Sequence, residues 1–537
     1  MRDQGIGSVE DLRARFLRRL LDGDLARQPA PGPEWRTCSV REAGAACPGV
    51  RVGGFGRCLA HLDQSELTGA LDDLRPGADV DARGTRLDPS LLAQVLGAVT
   101  GGDGPHFGAA RFDFASFTGH AKFDRSRFGG PATFEGARFG GFASFVAARF
   151  IREAGFGGGR FSYAADFRSA QFERTEHLGP MTVGDQLSLE RAEFGRSVQI
   201  EVAARRVSLA QASFAADATL RLRYAEAVLD GLVSAGPVTV TGVAEPFALF
   251  SAGTEPLVAD ETPLTAAGLD DGAAVLSLRG ADASRLVLVD LDLSRCELAG
   301  AHHLDQLRIE GRCTFIPTPG WVRVTRWRLP VLRYTRRQVL AEELTWRHAH
   351  GWMGARERRG GSRLDAERLA AVYRQLRKAQ EDAKNEPGAA DFYYGEMEMR
   401  RHARSTPAGE RLILTLYWAL SGYGLRATRA FAALLTVLAL GTVGLATVGF
   451  APSQRVEYHP IAGATGPVAY QQVSTPGARP GWAAAFEYSI DSATSLLRTP
   501  QTPPLTPAGR ALEITIRLLG PLLLGLALLA VRNRVKR

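Results

Sequence analysis

The chain has 537 residues, room for about three or four domains. Apolar residues make up 45% and charged residues 23%, so the bulk is neither disordered nor uniformly embedded in membrane. The 65 Lys and Arg exceed the 57 Asp and Glu by 8, and five Cys in so long a chain exclude a disulfide-stapled secreted scaffold. No apolar stretch opens the sequence, so no secretory leader is expected.

Residues 8–21 predict an amphipathic basic helix with Leu12, Phe16 and Leu20 on one face, and 1–30 read as a separate N-terminal helical segment. A small Cys- and His-containing domain is expected over 31–106. There Cys38, Cys47, Cys58 and His61 fall within 24 residues as C-x8-C-x10-C-x2-H. Three thiolates and an imidazole complete a tetrahedral Zn²⁺ shell, and the C-x2-H arm has chelating spacing. Structural zinc is one expectation; ordinary free thiols are the alternative. A catalytic zinc is not implied, because four protein ligands leave no open position.

From residue 107 a repeat takes over. Phe112, Phe123, Phe134, Phe145, Phe156 and Phe167 keep an 11-residue spacing, and so do Phe117, Phe128, Phe139, Phe150, Phe161 and Phe172. Two residues before each of them stands a small side chain: Ala ten times, Ser126 once and Gly159 once. A hendecad helix has the same period, but Gly129–Gly130–Pro131 and Gly157–Gly158–Gly159 would each cost such a helix about 1–3 kcal/mol per residue. A four-sided coil of about 22 residues, with every Phe pointing to the axis, satisfies the pattern and buries all the rings against one another. Degenerate continuations run through Phe194, Phe214 and the series Leu288, Leu293, Leu298, Leu304 and Ile309. The solenoid is therefore expected over 107–315, roughly 45 Å tall at ~4.8 Å per coil.

This pattern resembles the pentapeptide-repeat family, in the variant common in actinobacteria with alternating five- and six-residue steps. The resemblance implies a mostly β fold, a right-handed quadrilateral β-helix. Some members mimic DNA through an acidic face. Residues 107–175 here hold ten Lys and Arg against six Asp and Glu, a net of 10 − 6 = +4, so no DNA mimicry is expected.

Residues 316–411 read as a cytoplasmic helical connector. Arg323, Arg326, Arg328, Arg333, Arg336 and Arg337 crowd its start, reading as a solvated face, with anionic lipid preferred to nucleic acid as a ligand. Two helices, 364–385 and 389–402, are predicted on either side of a break at Pro387–Gly388. The run 373–401 resembles the connector that joins repeats to membrane helices in some bacterial fusion proteins.

A membrane domain is expected over 412–537. Residues 431–450 carry no charge and 514–531 carry only Arg517, the lengths that cross hydrocarbon. Arg400, Arg401, Arg404, Arg411, Arg426 and Arg429 precede the first span, and Arg532, Arg534, Lys536 and Arg537 follow the second. Positive charge at both outer ends predicts a two-pass protein of the cell membrane with both termini cytoplasmic. Between the spans, 484–497 predicts a short re-entrant-like amphipathic helix with Phe486, Ile490 and Leu497 at helical spacing. Span, short helix and span resemble the two-helix pore module of ion channels. The place of that module's filter holds Arg498, Thr499 and Pro500, which implies a degenerate site: Arg repels cations and Pro fixes φ.

No dinucleotide-binding glycine pattern, P-loop, nucleophile elbow or carboxylate pair is present, and the adjacent His302 and His303 are expected to point apart. No enzyme is expected. The leading expectation is a membrane-anchored scaffold that binds the lipid bilayer and a protein partner. The alternatives are a channel-like pore, assembled from identical copies and gated by the repeats without K⁺ selectivity, and a zinc-dependent or redox enzyme at the Cys/His cluster.

Overall fold

In the computed structural model the described residues are 35–42, 44–249, 257–318, 321–324, 330–333, 337–352, 364–452, 454–460, 470–495 and 504–535. The helix expected at 8–21, three of the clustered arginines (Arg326, Arg328 and Arg336), Leu497, and the filter position Arg498, Thr499 and Pro500 lie outside them. Two compact units divide the chain: residues up to Leu364 with Arg374–Lys384, and Asp365–Tyr373 with Asn385–Arg537.

In the first unit the sequence repeat becomes a parallel β-solenoid of about nine turns. Within one side, Ala and Phe stand two residues apart, so on a strand both face inward and the residue between them faces out. Four columns of such sides stack at a 22-residue register. Ala132 pairs with Ala110 and Ala154, Phe139 with Phe117 and Phe161, Ala143 with Ala121 and Ala165, and Phe150 with Phe128 and Phe172. Successive rings lie parallel within 9°, their centroids 4.4–5.1 Å apart, in four continuous piles. That separation is the strand spacing itself, so the hydrogen-bond ladder and the aromatic stack reinforce each other. All twelve Phe from 112 to 172 of the two series are at most 2% exposed.

The alternation of five- and six-residue steps has a backbone cause. At each five-residue corner the residue two after Phe is left-handed, as at Phe114 (φ 57°), Arg125 (54°), Ala147 (55°) and Ser169 (57°). The next N–H then donates to the Phe carbonyl, as Ala115 does to Phe112 and Ala148 to Phe145, both at 3.0 Å. This is a type II turn. Acidic side chains between Phe and the corner brace the coil above: Asp113 accepts from Thr133 Oγ1 (2.8 Å) and the Glu135 N–H (3.1 Å), and Asp124 accepts from Ser144 and the Val146 N–H.

Parallel pairing begins at Ala78 and Leu87, ahead of residue 107, with Val80 under Ala110 and Leu87 under Phe117. Helix α1 (Gln64–Asp72) precedes this coil, and α2 (Pro89–Ala98) is inserted in it. Leu91, Leu92, Val95 and Val99 are buried there, beside the first coil, where solenoids carry a capping element. Beyond residue 177 the short sides fuse into the strands His177–Ser188 and Val198–Ser208, and the register shortens to 20 residues, with Val198, Ala218 and Val238 in line. Between Gly242 and Ala274 the described residues lie off the coil and include α3 (Thr262–Ala266), with a buried Arg223–Glu261 ion pair at 3.0 Å. Coiling resumes over the Leu series, with Leu288 paired to Ile309.

An antiparallel pair, Ile316–Pro317 with Gln338–Val339, ends the ladder and leads into α4 (Ala341–Ala349). Glu342 accepts the N–H groups of Leu298 and Ala299 at 2.7 and 3.0 Å, and buried Glu343 binds both Arg337 and Arg347. Helices α5 (Ala366–Asp382) and α6 (Glu386–His402) follow. The break between them lies at 383–385 and not at Pro387–Gly388. Lys384 is left-handed and Asn385 caps α6, while Pro387 occupies the first turn, where its missing N–H is free of cost.

The second unit continues with α7 (Ala408–Ser421), α8 (Ala427–Gly444, extended by a π-turn to Gly449), α9 (Trp482–Thr494) and α10 (Pro507–Val535). Gln454–Pro460 and Tyr470–Pro476 form an antiparallel hairpin before α9.

Candidate metal centre and membrane segments

Cys38, Cys47, Cys58 and His61 converge, with all four ligand atoms within 4.8 Å of one another. A β-hairpin, Arg41–Glu42 with Ala45–Ala46, folds Cys38 and Cys47 together. One 3₁₀ turn, closed by the His61 N–H on the Cys58 carbonyl at 2.9 Å, sets His61 beside Cys58. The Sγ atoms of Cys47 and Cys58 are 3.8 Å apart, and His61 Nδ1 stands 3.3 Å from Cys58 Sγ and 3.5 Å from Cys38 Sγ. A tetrahedral ion with bonds of about 2.3 Å to sulfur and about 2.1 Å to nitrogen needs S···S edges of about 3.8 Å and S···N edges of about 3.6 Å. The cluster could therefore bind a metal with little rearrangement.

The thiols are unevenly poised. Burial opposes the Cys38 thiolate, but hydrogen bonds from the Val40 and Cys58 backbone and from His61 outweigh it and bring the thiol down to about 7. Burial, then the charges of Cys47 and Cys38, pushes Cys58 up to about 12, and burial also raises Cys47. A cation among them would reverse that mutual opposition.

Two supporting residues were not picked out from the sequence. A Cβ on Gly49 would lie 2.8 Å from Cys58 Cβ and 2.9 Å from its Sγ, so only glycine lets Cys58 enter. Trp35 donates through Nε1 to the Pro48 carbonyl at 2.8 Å and lies under the Arg83 guanidinium at 5.0 Å, and the Val50 N–H donates to Arg83 O at 2.8 Å. The cluster is thus laced to the first coil. Cys296 is buried within the Leu coils. His302 and His303 are exposed at a corner, His303 being left-handed and 2.9 Å from Asp282.

Two helices are long and apolar enough to cross a membrane, Ala427–Gly449 and Pro507–Arg532, each with a mean hydropathy of 2.2 over its best window. Only 11% and 28% of those windows are buried, unlike the core helix of a soluble protein. Close approach of the two is bought with glycine: a Cβ on Gly509 would strike the Gly449 carbonyl, and one on Gly441 would meet Ile516 at 2.5 Å. Helix α9 packs on both through its small and hydroxyl face, Ala485, Ser489, Ser492 and Ala493, with Thr442 Oγ1 donating to Ser489 Oγ at 3.3 Å. Phe486 and Ile490 are exposed on its other side. Glu513 and Arg517 pair at 2.9 Å one turn apart on α10.

No protein-family model, curated protein or solved structure matches this chain.

Proposed function

We propose that this chain is a membrane-anchored scaffold of the pentapeptide-repeat type, without catalytic activity. Its solenoid offers a cytoplasmic protein partner a rigid outer face, and two spans hold it to the bilayer with both termini in the cytoplasm. One observation carries the reading: a stack of about nine coils and two largely exposed apolar helices occur in one chain. The interior of the stack is phenyl rings and methyl groups, which offer no chemistry, so the outward residues are left to do the recognition. Those include the arginine columns Arg127–Arg149 and Arg138–Arg160. Affinity purification from cross-linked membranes is expected to return one protein partner, and Arg127→Glu with Arg149→Glu is expected to lose it. Recovery of no stable partner from the intact chain overturns the scaffold.

The Cys/His cluster fits a structural zinc, because the four side chains close the tetrahedron and the ligand set is soft. Zinc there would hold the N-terminal module against the first coil.

A second reading is favoured by α9. A helix too short to cross, lodged by its hydroxyl face on two spans, suits a pore formed by several copies of the chain. Ion flux in liposomes that disappears with Arg498→Glu would establish it; silent liposomes leave the scaffold.

A further inference from the structure

Helix α7 buries one side and leaves another bare. Leu414, with Tyr417 and Trp418, packs on Tyr394, Met397 and Tyr423. On the other side Leu412, Ile413 and Leu416 are 61%, 66% and 52% exposed, a stripe of aliphatic side chains at helical spacing. Its C-terminal turn is held by specific contacts. Gly422, Tyr423 and Gly424 are all left-handed, at φ 55°, 60° and 73°, and the Gly424 N–H donates to Ser421 Oγ at 3.0 Å. Arg429 at the start of α8 donates to the Trp418 carbonyl at 3.3 Å and stacks over its ring. Residues 422–426 alone separate α7 from α8, at most ~17 Å of chain. The stripe therefore stands near the N-terminal end of the first span.

We propose that α7 lies along the bilayer surface, with Leu412, Ile413 and Leu416 seated at the boundary of headgroups and acyl chains. Arg404, Arg411 and Arg426 flank it with charge suited to lipid phosphate. A second copy of the chain is the competing occupant. Three side chains are far short of the roughly 800 Å² per partner of a stable interface, and the stripe runs on into a helix already apolar and exposed. The proposal rests on the anchoring reading, so the test separates the two.

An environment-sensitive fluorescent amino acid is placed at position 416, or at position 435 in α8, of the full chain in phospholipid vesicles. Quenching is read from lipids brominated near the headgroup or deep in the acyl chain. The expected result is blue-shifted emission at 416, quenched several-fold more by the shallow label than by the deep one, with the reverse order at 435. Water-like or unquenched emission at 416 with normal quenching at 435 overturns the surface helix and spares the anchor. Unquenched emission at both positions overturns both.

Discussion

Phe145 sits in the middle of the ring column, and its truncation tests the stack directly. The side chain is fully buried, parallel to Phe123 at 5.0 Å and Phe167 at 4.8 Å, and edge-on to Phe134 and Phe156 at 5.5 Å. Replacing buried Phe by Ala typically costs about 3–5 kcal/mol, the larger values arising where the surroundings cannot relax. Here they cannot. The Phe145 N–H donates to Asp166 O at 2.7 Å in the next coil, so the strand ladder holds the void open. Phe145→Ala is therefore expected to cost about 4–5 kcal/mol. Phe214→Ala, with a parallel ring on one side at 4.9 Å, should cost about 3 kcal/mol. Phe145→Asp would add the burial of an unpaired charge and should prevent folding of the coils. Urea unfolding of the intact protein in mild detergent, followed by far-ultraviolet circular dichroism, reads the differences. A cost below about 1 kcal/mol for Phe145→Ala, the range of a surface substitution, would refute the inward stack.

Two neighbouring alanines should respond with opposite sign. Ala147 is exposed and left-handed, so Ala147→Gly relieves about 1 kcal/mol of strain against a smaller entropic loss and should raise the unfolding midpoint. Ala148 is buried just before the strand Arg149–Phe150, and Ala148→Gly should lower it by about 1 kcal/mol; equal effects would contradict the corner geometry. Burial holds the Glu342 carboxyl above its ordinary value of 4.5. The folded state then keeps its proton after the unfolded state has lost it, so this group's contribution falls as pH rises above that value. The melting temperature of Glu342→Gln relative to the parent should accordingly increase between about pH 5 and about pH 8, and a constant difference would show that Glu342 titrates normally. Metal analysis of the purified chain should find one zinc, lost in Cys58→Ser and released as pH falls because thiolate ligands take up protons. A metal-free parent with unchanged melting behaviour would leave the cluster as plain thiols.

The ring column was legible because a strand puts residues two apart on one face, which makes Ala and Phe a fixed pair. Its N-terminal extension was not, since Val80 and Leu87 replace the aromatic signal and α2 interrupts the period. The corners were hidden for another reason: Phe114, Arg125 and Ser169 adopt a conformation usually betrayed by glycine. In the later coils the register shortens from 22 to 20 residues as short sides merge into long strands, so the 11-residue count fails there. The four metal-ligand candidates stood out by residue type, whereas Gly49 acts through the space it leaves empty. On α9 the apolar stripe was visible, but the packed face is the one of Ala and Ser, as happens where the surroundings are themselves apolar.

Alkaline extraction of membranes from cells expressing the intact chain tests the central claim most directly, because high pH strips peripheral proteins and leaves spanning ones. The account predicts that the protein stays in the pellet, and that a protease added to sealed inside-out vesicles removes the solenoid. Release of the intact chain into the supernatant would contradict it.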